Sequence, residues 1–90
     1  MVKLRLFSAL REIAGAKEVA VEGDELSIED ALRRFSGKYG KRAQAVLFDT
    51  EGKIQPSVLL LVNGDAAQQG AATRVSSGDT VQVLLPTAGG

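Results

Sequence analysis

Residues 77–90 have the sequence SGDTVQVLLPTAGG, which combines a turn, an apolar strand and a diglycine end. Within it, Val81, Val83 and Leu85 alternate with Thr80 and Gln82, the period-two pattern of a strand with one buried face. Glycine loses more conformational freedom on ordering than any other residue and adds no packing. The two final glycines are therefore either a frayed end or the working group of the protein, and the rest of the sequence has to decide between these possibilities.

The start of the chain shows the same alternation. Residues 2–6, VKLRL, alternate apolar and basic side chains and predict a first strand. A short helical segment, closed by Gly15, leads to a second predicted strand over residues 18–22. Because the link is short, we expect these two strands to pair antiparallel. The first and last strands are the most regular, so we expect them side by side in the middle of the sheet.

The main helix is predicted to begin at Ser27. Its hydroxyl is a good N-cap, and Asp30 three residues later is typical of a helix start. The following apolar residues recur at helical spacing and form one stripe: Ile28, Ala31, Leu32 and Phe35. Gly37 or Gly40 is expected to end the helix. A single long helix against a mixed sheet predicts an α+β roll.

The chain between this helix and the last strand has a less regular pattern. Residues 43–47 are compatible with a short helix that packs on the core. Residues 58–62 are apolar at every position, which predicts a strand buried on both faces or one with an apolar face left for a partner. Asn63-Gly64 predicts a tight hairpin turn because both residues tolerate positive φ. Residues 65–75, rich in small side chains, are expected to form a loose connection.

Composition indicates the class of protein and its partners. Ninety residues with 44% hydrophobic and 24% charged side chains predict one globular domain. Eleven basic and eleven acidic residues cancel, so no net field attracts nucleic acid or an anionic membrane. The basic residues near Tyr39 are interpreted as a solvated loop. With no apolar run of about 20 residues and no secretory signal at the start, a cytoplasmic protein is expected.

Two absent residue types exclude most self-contained catalysis. The sequence has no cysteine, and therefore no thiol nucleophile, disulfide or thiolate metal site. It has no histidine, the usual general base near neutral pH and the commonest metal ligand. The acidic residues fall at a helix start and in turns. We therefore expect neither a catalytic site nor a metal site within this chain.

Four stretches, in this order, resemble the MoaD/ThiS sulfur-carrier family of ubiquitin-like proteins: Leu6–Gly15, Ser27–Phe35, Val62–Asp65 and Ser77–Gly90. The resemblance is greatest to the MoaD branch, the small subunit of molybdopterin synthase. Members often have two prolines before the diglycine, whereas here only Pro86 follows the strand and Thr87 stands where an apolar residue is common. The resemblance implies a β-grasp domain over residues 1–86, with a mixed sheet of four to five strands and one main helix on one face. It implies a flexible tail over residues 87–90.

The resemblance also implies a chemistry for the end of the chain. The carboxylate of Gly90 would be adenylated by an E1-like adenylyltransferase, which uses ATP in trans, and then converted to a thiocarboxylate. In the MoaD branch, the sulfur passes to the pterin precursor of the molybdenum cofactor, in a complex with a larger catalytic subunit. A sulfur-donor protein is a further partner. The chain itself would bind no cofactor and act as a non-catalytic carrier subunit.

The residues themselves make this chemistry reasonable. Residues 37–42, GKYGKR, lack the spacing of a phosphate-binding loop, so activation of a carboxylate has to come from a partner. Pro86 fixes φ and favours an extended exit from the strand. Thr87, Ala88 and Gly89 would then thread toward the active site of the partner, where glycines allow close approach of the backbone.

The strand alternation also predicts a partner surface. If Val58, Leu60 and Val62 face the helix, the residues between them face the uncovered side of the sheet. Together with the outward positions on the first and last strands, this predicts an apolar patch at a protein interface: Phe7, Leu59, Leu61 and Leu84.

Three classes of function stay open at this point. The first is a sulfur carrier, for molybdopterin or another thio-cofactor. The second is a ubiquitin-like modifier that is joined to target lysines through its C-terminal glycine, as some archaeal relatives are. The third is a β-grasp interaction module that never uses its end.

Overall fold

The computed structural model describes residues 1–85, so the predicted tail residues lie outside the described part: Pro86, Thr87, Ala88, Gly89 and Gly90. The strands are β1 (Val2–Leu6), β2 (Glu18–Val21), β3 (Glu25–Ser27), β4 (Leu59–Val62), β5 (Asp65–Ala66), β6 (Arg74–Ser76) and β7 (Thr80–Leu84). The helices are α1 (Ser8–Ala14), α2 (Ile28–Tyr39) and α3 (Lys41–Leu47), with a 3-10 turn at Gly70–Ala72.

Five of these strands form a mixed sheet in the order β2-β1-β7-β4-β5. The first and last strands lie together at its centre and run parallel, with Leu4 opposite Val81. β1 pairs antiparallel with β2, and β7 pairs antiparallel with β4. The predicted antiparallel first pair, the central position of the two most regular strands and the mixed sheet of four to five strands are all confirmed.

The core lies between one face of this sheet and α2. Leu4, Val81 and Val83 are completely buried on the sheet side. The predicted helical stripe is buried against them: Ile28, Ala31, Leu32 and Phe35. The helix begins as its sequence predicts, because the backbone N–H of Asp30 donates to the Ser27 hydroxyl at 3.1 Å. The charged residues of β1 point to the opposite face of the sheet, which the main helix leaves uncovered.

Of the two glycines expected to end the helix, Gly40 does so and Gly37 does not. α2 continues through Gly37 to Tyr39, and Gly40 follows with a φ of 91°. A glycine inside a helix costs about 1 kcal/mol relative to alanine. Packing offsets that cost here, because the Tyr39 ring lies 4.8 Å from the ring of Phe35 one turn earlier and packs against the buried core.

A second, two-stranded sheet corrects one expectation. β3 pairs antiparallel with β6, so the prediction of a loose connection over residues 65–75 was wrong where β5 and β6 form. Leu26 and Val75 lie opposite each other in this sheet, and both are buried. Strands of two or three residues are too short to show an alternating pattern, so only their pairing reveals them. The backbone N–H of Ile28 also donates to the Thr73 carbonyl at 2.9 Å, which ties the start of α2 to this connection.

The turns form at the predicted places, whereas the basic residues expected in a loop are helical: Lys38 lies in α2, and Lys41 and Arg42 begin α3. α1 ends at Gly15, whose φ of 70° places it in the left-handed region. Asn63 and Gly64, with φ of 52° and 92°, form the two-residue turn between β4 and β5. Between residues 1 and 85 no helix has the length and apolar character that crossing a membrane requires.

Candidate functional site at the end of the last strand

β7, the central strand, carries the chain to one end of the sheet. β1 pairs with its residues 80–83, and β4 pairs with its residues 81–84. At its end, Leu84 lies opposite Leu59 of β4. On the other side Val83 lies opposite Leu6, and Phe7 comes one residue later, at the end of β1. The residues that follow β7 therefore start beside three of the four side chains predicted to bind a partner: Phe7, Leu59 and Leu84. We call this apolar cluster the Leu59 corner.

The register places the predicted interface residues on the uncovered face of the sheet. Leu59 and Leu61 alternate with buried Leu60, so they point away from the helix. Leu59 faces Leu84 across the strands, whereas Leu61 faces Gln82. The uncovered face is therefore apolar where β7 ends and becomes polar one row further along the sheet.

The four side chains differ in exposure. Leu59 is 54% exposed and is, with Met1, one of two large apolar side chains in residues 1–85 that are this accessible. Leu61, Leu84 and Phe7 are half-buried. The arrangement offers apolar contact area at the surface, which suits docking of another protein.

Phe7 is shielded by a neighbour that the sequence analysis did not single out. The guanidinium of Arg11, on α1, lies 5.6 Å from the centroid of the Phe7 ring and donates from its terminal nitrogen to the Leu6 carbonyl at 3.3 Å. Spacing of four residues on a helix could have suggested the contact, since Phe7 is the N-cap of α1. Arg11 thus adds a positive charge beside the Leu59 corner.

A hydrogen-bonded cluster fixes the other end of β7. The Asp79 carboxylate accepts from the backbone N–H of Ser76 at 2.8 Å and from the Asn63 side chain at 3.1 Å. The side-chain oxygen Oδ1 of Asn63 in turn accepts from the backbone N–H of Thr80 at 2.9 Å. The backbone donor at Ser76, and then the Asn63 amide, lower the pKa of Asp79, while slight burial opposes them. The sequence identified both turns, but not the contact between them.

No cluster of metal ligands appears in residues 1–85. The acidic side chains of this part do not gather into a group of three that could hold a metal ion. The predicted tail from Pro86 to Gly90 lies outside the described residues, so its role stays a prediction.

Comparison with known proteins places the chain in a family. The model of the ThiS family matches residues 4–90. Small archaeal modifier protein 1 from Haloferax volcanii is 32% identical over 87 residues, which cover 96% of this chain and 97% of that protein. The solution structure of the small archaeal modifier protein 1 from Methanosarcina acetivorans superposes with a TM-score of 0.84 at 29% identity, over 99% of this chain and 95% of that one.

A more distant structure shows the same fold. The Amycolatopsis orientalis BexX/CysO complex matches with a TM-score of 0.78 at 22% identity, over all of both chains. The predicted β-grasp, ubiquitin-like fold is confirmed by these superpositions. Since the family model spans nearly the whole sequence, the chain belongs to the ThiS family of ubiquitin-like sulfur-carrier proteins.

Proposed function

We propose that this protein is a carrier that presents the carboxylate of Gly90 to a partner enzyme for activation with ATP. The observation that carries the proposal is the position of Leu84. β7 ends there, anchored between β1 and β4, directly opposite exposed Leu59. A partner that docks on the Leu59 corner would lie next to the residues that follow β7. Membership of the ThiS family supports the same role.

The chemistry requires such a partner. A carboxylate oxygen is a poor leaving group until it is joined to a phosphoryl group, so the Gly90 carboxylate would attack the α-phosphorus of ATP and release pyrophosphate. Hydrosulfide supplied by the donor would then attack the adenylate, forming a C–S bond as the C–O bond to AMP breaks, and leave a thiocarboxylate. Neither histidine nor cysteine is present to perform these steps. We therefore assign ATP binding to an E1-like adenylyltransferase and the sulfur to a separate donor protein.

Two fates of the activated glycine follow from different observations. The MoaD-like motifs favour transfer of sulfur within a molybdopterin synthase, with this chain as the small subunit beside a larger catalytic subunit. The 32% identity to a small archaeal modifier protein favours attack by a lysine amine instead, which would form an isopeptide bond at Gly90. Both fates share the adenylation step and diverge only after it, so we propose activation as the common function.

Mass spectrometry on material from the native cells separates these fates. A carrier is expected to show replacement of one oxygen by sulfur at Gly90 in the intact mass. A modifier is expected to leave a branched remnant, residues 75–90 after tryptic digestion, on lysines of other proteins, because Arg74 is the last basic residue of the chain. If both are found, the chain serves both fates. A β-grasp module that never uses its end would show neither, and that result would contradict the proposal.

Truncation tests the site directly. Removing Gly90, or Gly89 and Gly90, should abolish adenylation, because the reacting carboxylate would sit short of the partner's ATP. The melting temperature should stay unchanged, since both glycines lie beyond Leu84, the last sheet-paired residue in the described part of the chain. Pyrophosphate exchange with the matching activating enzyme and thermal denaturation measure the two effects. Thr87→Ala keeps the full length and serves as the control. Normal pyrophosphate exchange with the truncated protein would contradict the proposal.

A further inference from the structure

The free edge of the main sheet at β2 offers backbone groups for another strand. Within residues 1–85 no strand pairs with the outer side of β2. The backbone N–H of Leu6 donates to the Lys17 carbonyl at 2.8 Å, so these opposed residues form a hydrogen-bonded pair. Hydrogen-bonded pairs alternate along an antiparallel ladder. The backbone N–H and C=O groups of Val19 therefore point toward β1, whereas those of Glu18 and Ala20 point away from it, to the free edge. The opposite edge, β5, is only two residues long.

A cleft of about 610 Å³ runs along this edge, between β2 and α2. Its apolar lining comes from both elements. Val21 and Phe35 are buried, and Val19 and Tyr39 are half-buried, so part of this apolar surface is accessible from the edge. A strand added to β2 would direct every second side chain into this cleft.

The rim of the cleft is positively charged. Arg34 and Lys38 line it from successive turns of α2, and neither takes part in a salt bridge within residues 1–85. Arg34 donates to the Glu22 carbonyl, and the ammonium of Lys38 lies 5.5 Å from the Tyr39 ring centroid. Glu22 contributes the one carboxylate among the lining residues. Two cations therefore face the cleft against one acid.

We propose that β2 and this cleft bind an extended segment of a partner protein, added antiparallel or parallel as a further strand of the sheet. Its helix-facing side chains would be apolar opposite Val19 and Val21, and acidic where they reach Arg34 and Lys38. Main-chain hydrogen bonds at Glu18 and Ala20 would supply affinity, and the pocket and the two cations would supply specificity.

A second copy of this chain fits the edge poorly. Antiparallel pairing of two β2 strands centred on Ala20 would place Glu18 of one copy opposite Glu22 of the other, which is unfavourable. The helix-facing residues of the second β2 would be Val19 and Val21, which offer no charge to the cations. Because β1 separates this edge from β7, the bound segment would leave the Leu59 corner open. The proposal thus stands apart from activation at Gly90.

Peptide titration of the full ninety-residue protein, labelled for NMR, tests this proposal. The probe is a short peptide of alternating valine and threonine that ends in a run of aspartates, and its matched partner ends in lysines. We expect the aspartate peptide alone to shift the amide resonances of Ala20 and Lys38 and to slow hydrogen exchange at Glu18 and Ala20.

Charge reversal gives the matched comparison. Lys38→Glu should weaken binding of the aspartate peptide about tenfold, since one attraction is replaced by one repulsion. Lys41→Glu makes the same charge change at an exposed residue of α3 outside the cleft and should leave the affinity nearly unchanged. Equal binding of both peptides, shifts confined to Leu59 and Leu84, no binding at all, or a dimer formed through β2 would each overturn the proposal.

Discussion

Asp79 joins three segments that are distant in the sequence. Its carboxylate accepts hydrogen bonds from Ser76 and Asn63, and its backbone carbonyl accepts from the N–H of Lys3 at 3.1 Å. One residue thereby links the turn before β7, the β4–β5 hairpin and the start of β1. All three contacts help to set the position from which the central strand runs toward the end of the chain.

The pH dependence of stability should reveal this role. Hydrogen bonding lowers the pKa of Asp79 in the folded protein. The carboxylate therefore stabilises the fold above its ordinary unfolded pKa of about 3.9, and this contribution is lost as the pH falls through the lower folded pKa. We expect the free energy of unfolding to decline less steeply with acid in Asp79→Asn than in the unaltered protein. Urea denaturation at a series of acidic pH values measures this free energy. The same pH dependence in both proteins would contradict the role assigned to the Asp79 carboxylate.

At the scale of elements, two glycines with opposite surroundings make a matched pair. Gly23, in the turn between β2 and β3, has a φ of 132°, and an added Cβ would lie 2.9 Å from the Leu26 side chain. Gly37, inside α2, would place an added Cβ in open space. The first conformation is one that residues with a side chain rarely adopt.

Alanine at each position should therefore act in opposite directions. Gly23→Ala should lower the free energy of unfolding by about 1–3 kcal/mol because the backbone is strained. Gly37→Ala should raise it by about 0.5–1 kcal/mol because alanine favours the helix. Chemical denaturation of both variants gives the comparison. A destabilised Gly37→Ala would mean that α2 is interrupted there in solution.

At the scale of the whole molecule, partner binding and folding should depend on opposite faces of the sheet. Leu59→Asp should weaken association with the activating enzyme by about 2 kcal/mol or more, as at an interface hot spot. Its stability should change by only about 0.5 kcal/mol, since the side chain is 54% exposed. Calorimetric titration and urea denaturation measure the two quantities.

Leu32→Ala is the control for the covered face. Leu32 is completely buried on α2, so its truncation should cost about 2–5 kcal/mol of stability through a cavity. The folded fraction should still bind the enzyme with unchanged affinity. If Leu59→Asp destabilised the protein as much as Leu32→Ala, the Leu59 corner would be part of the core and not a docking surface.

The sequence by itself determined the elements whose cause is local: alternation in β1 and β7, the stripe and the Ser27 cap of α2, and the Asn63-Gly64 turn. It also placed Leu59, Leu61 and Leu84 on the outward face, because parity along a strand is a local property. The activation of Gly90 stays a prediction.

Only the tertiary structure decided the rest. The β3–β6 sheet depends on Leu26 meeting Val75, far apart in the chain. The pKa of Asp79 is lowered first by the nearby Ser76 N–H, and the distant Asn63 side chain adds to that effect. α2 continues through Gly37 to Tyr39, which packs against the core, and the open edge at β2 is defined by which strands pair elsewhere. Each of these outcomes depends on contacts between segments that are distant in the sequence. The spacing of residues within one segment carries no information about such contacts.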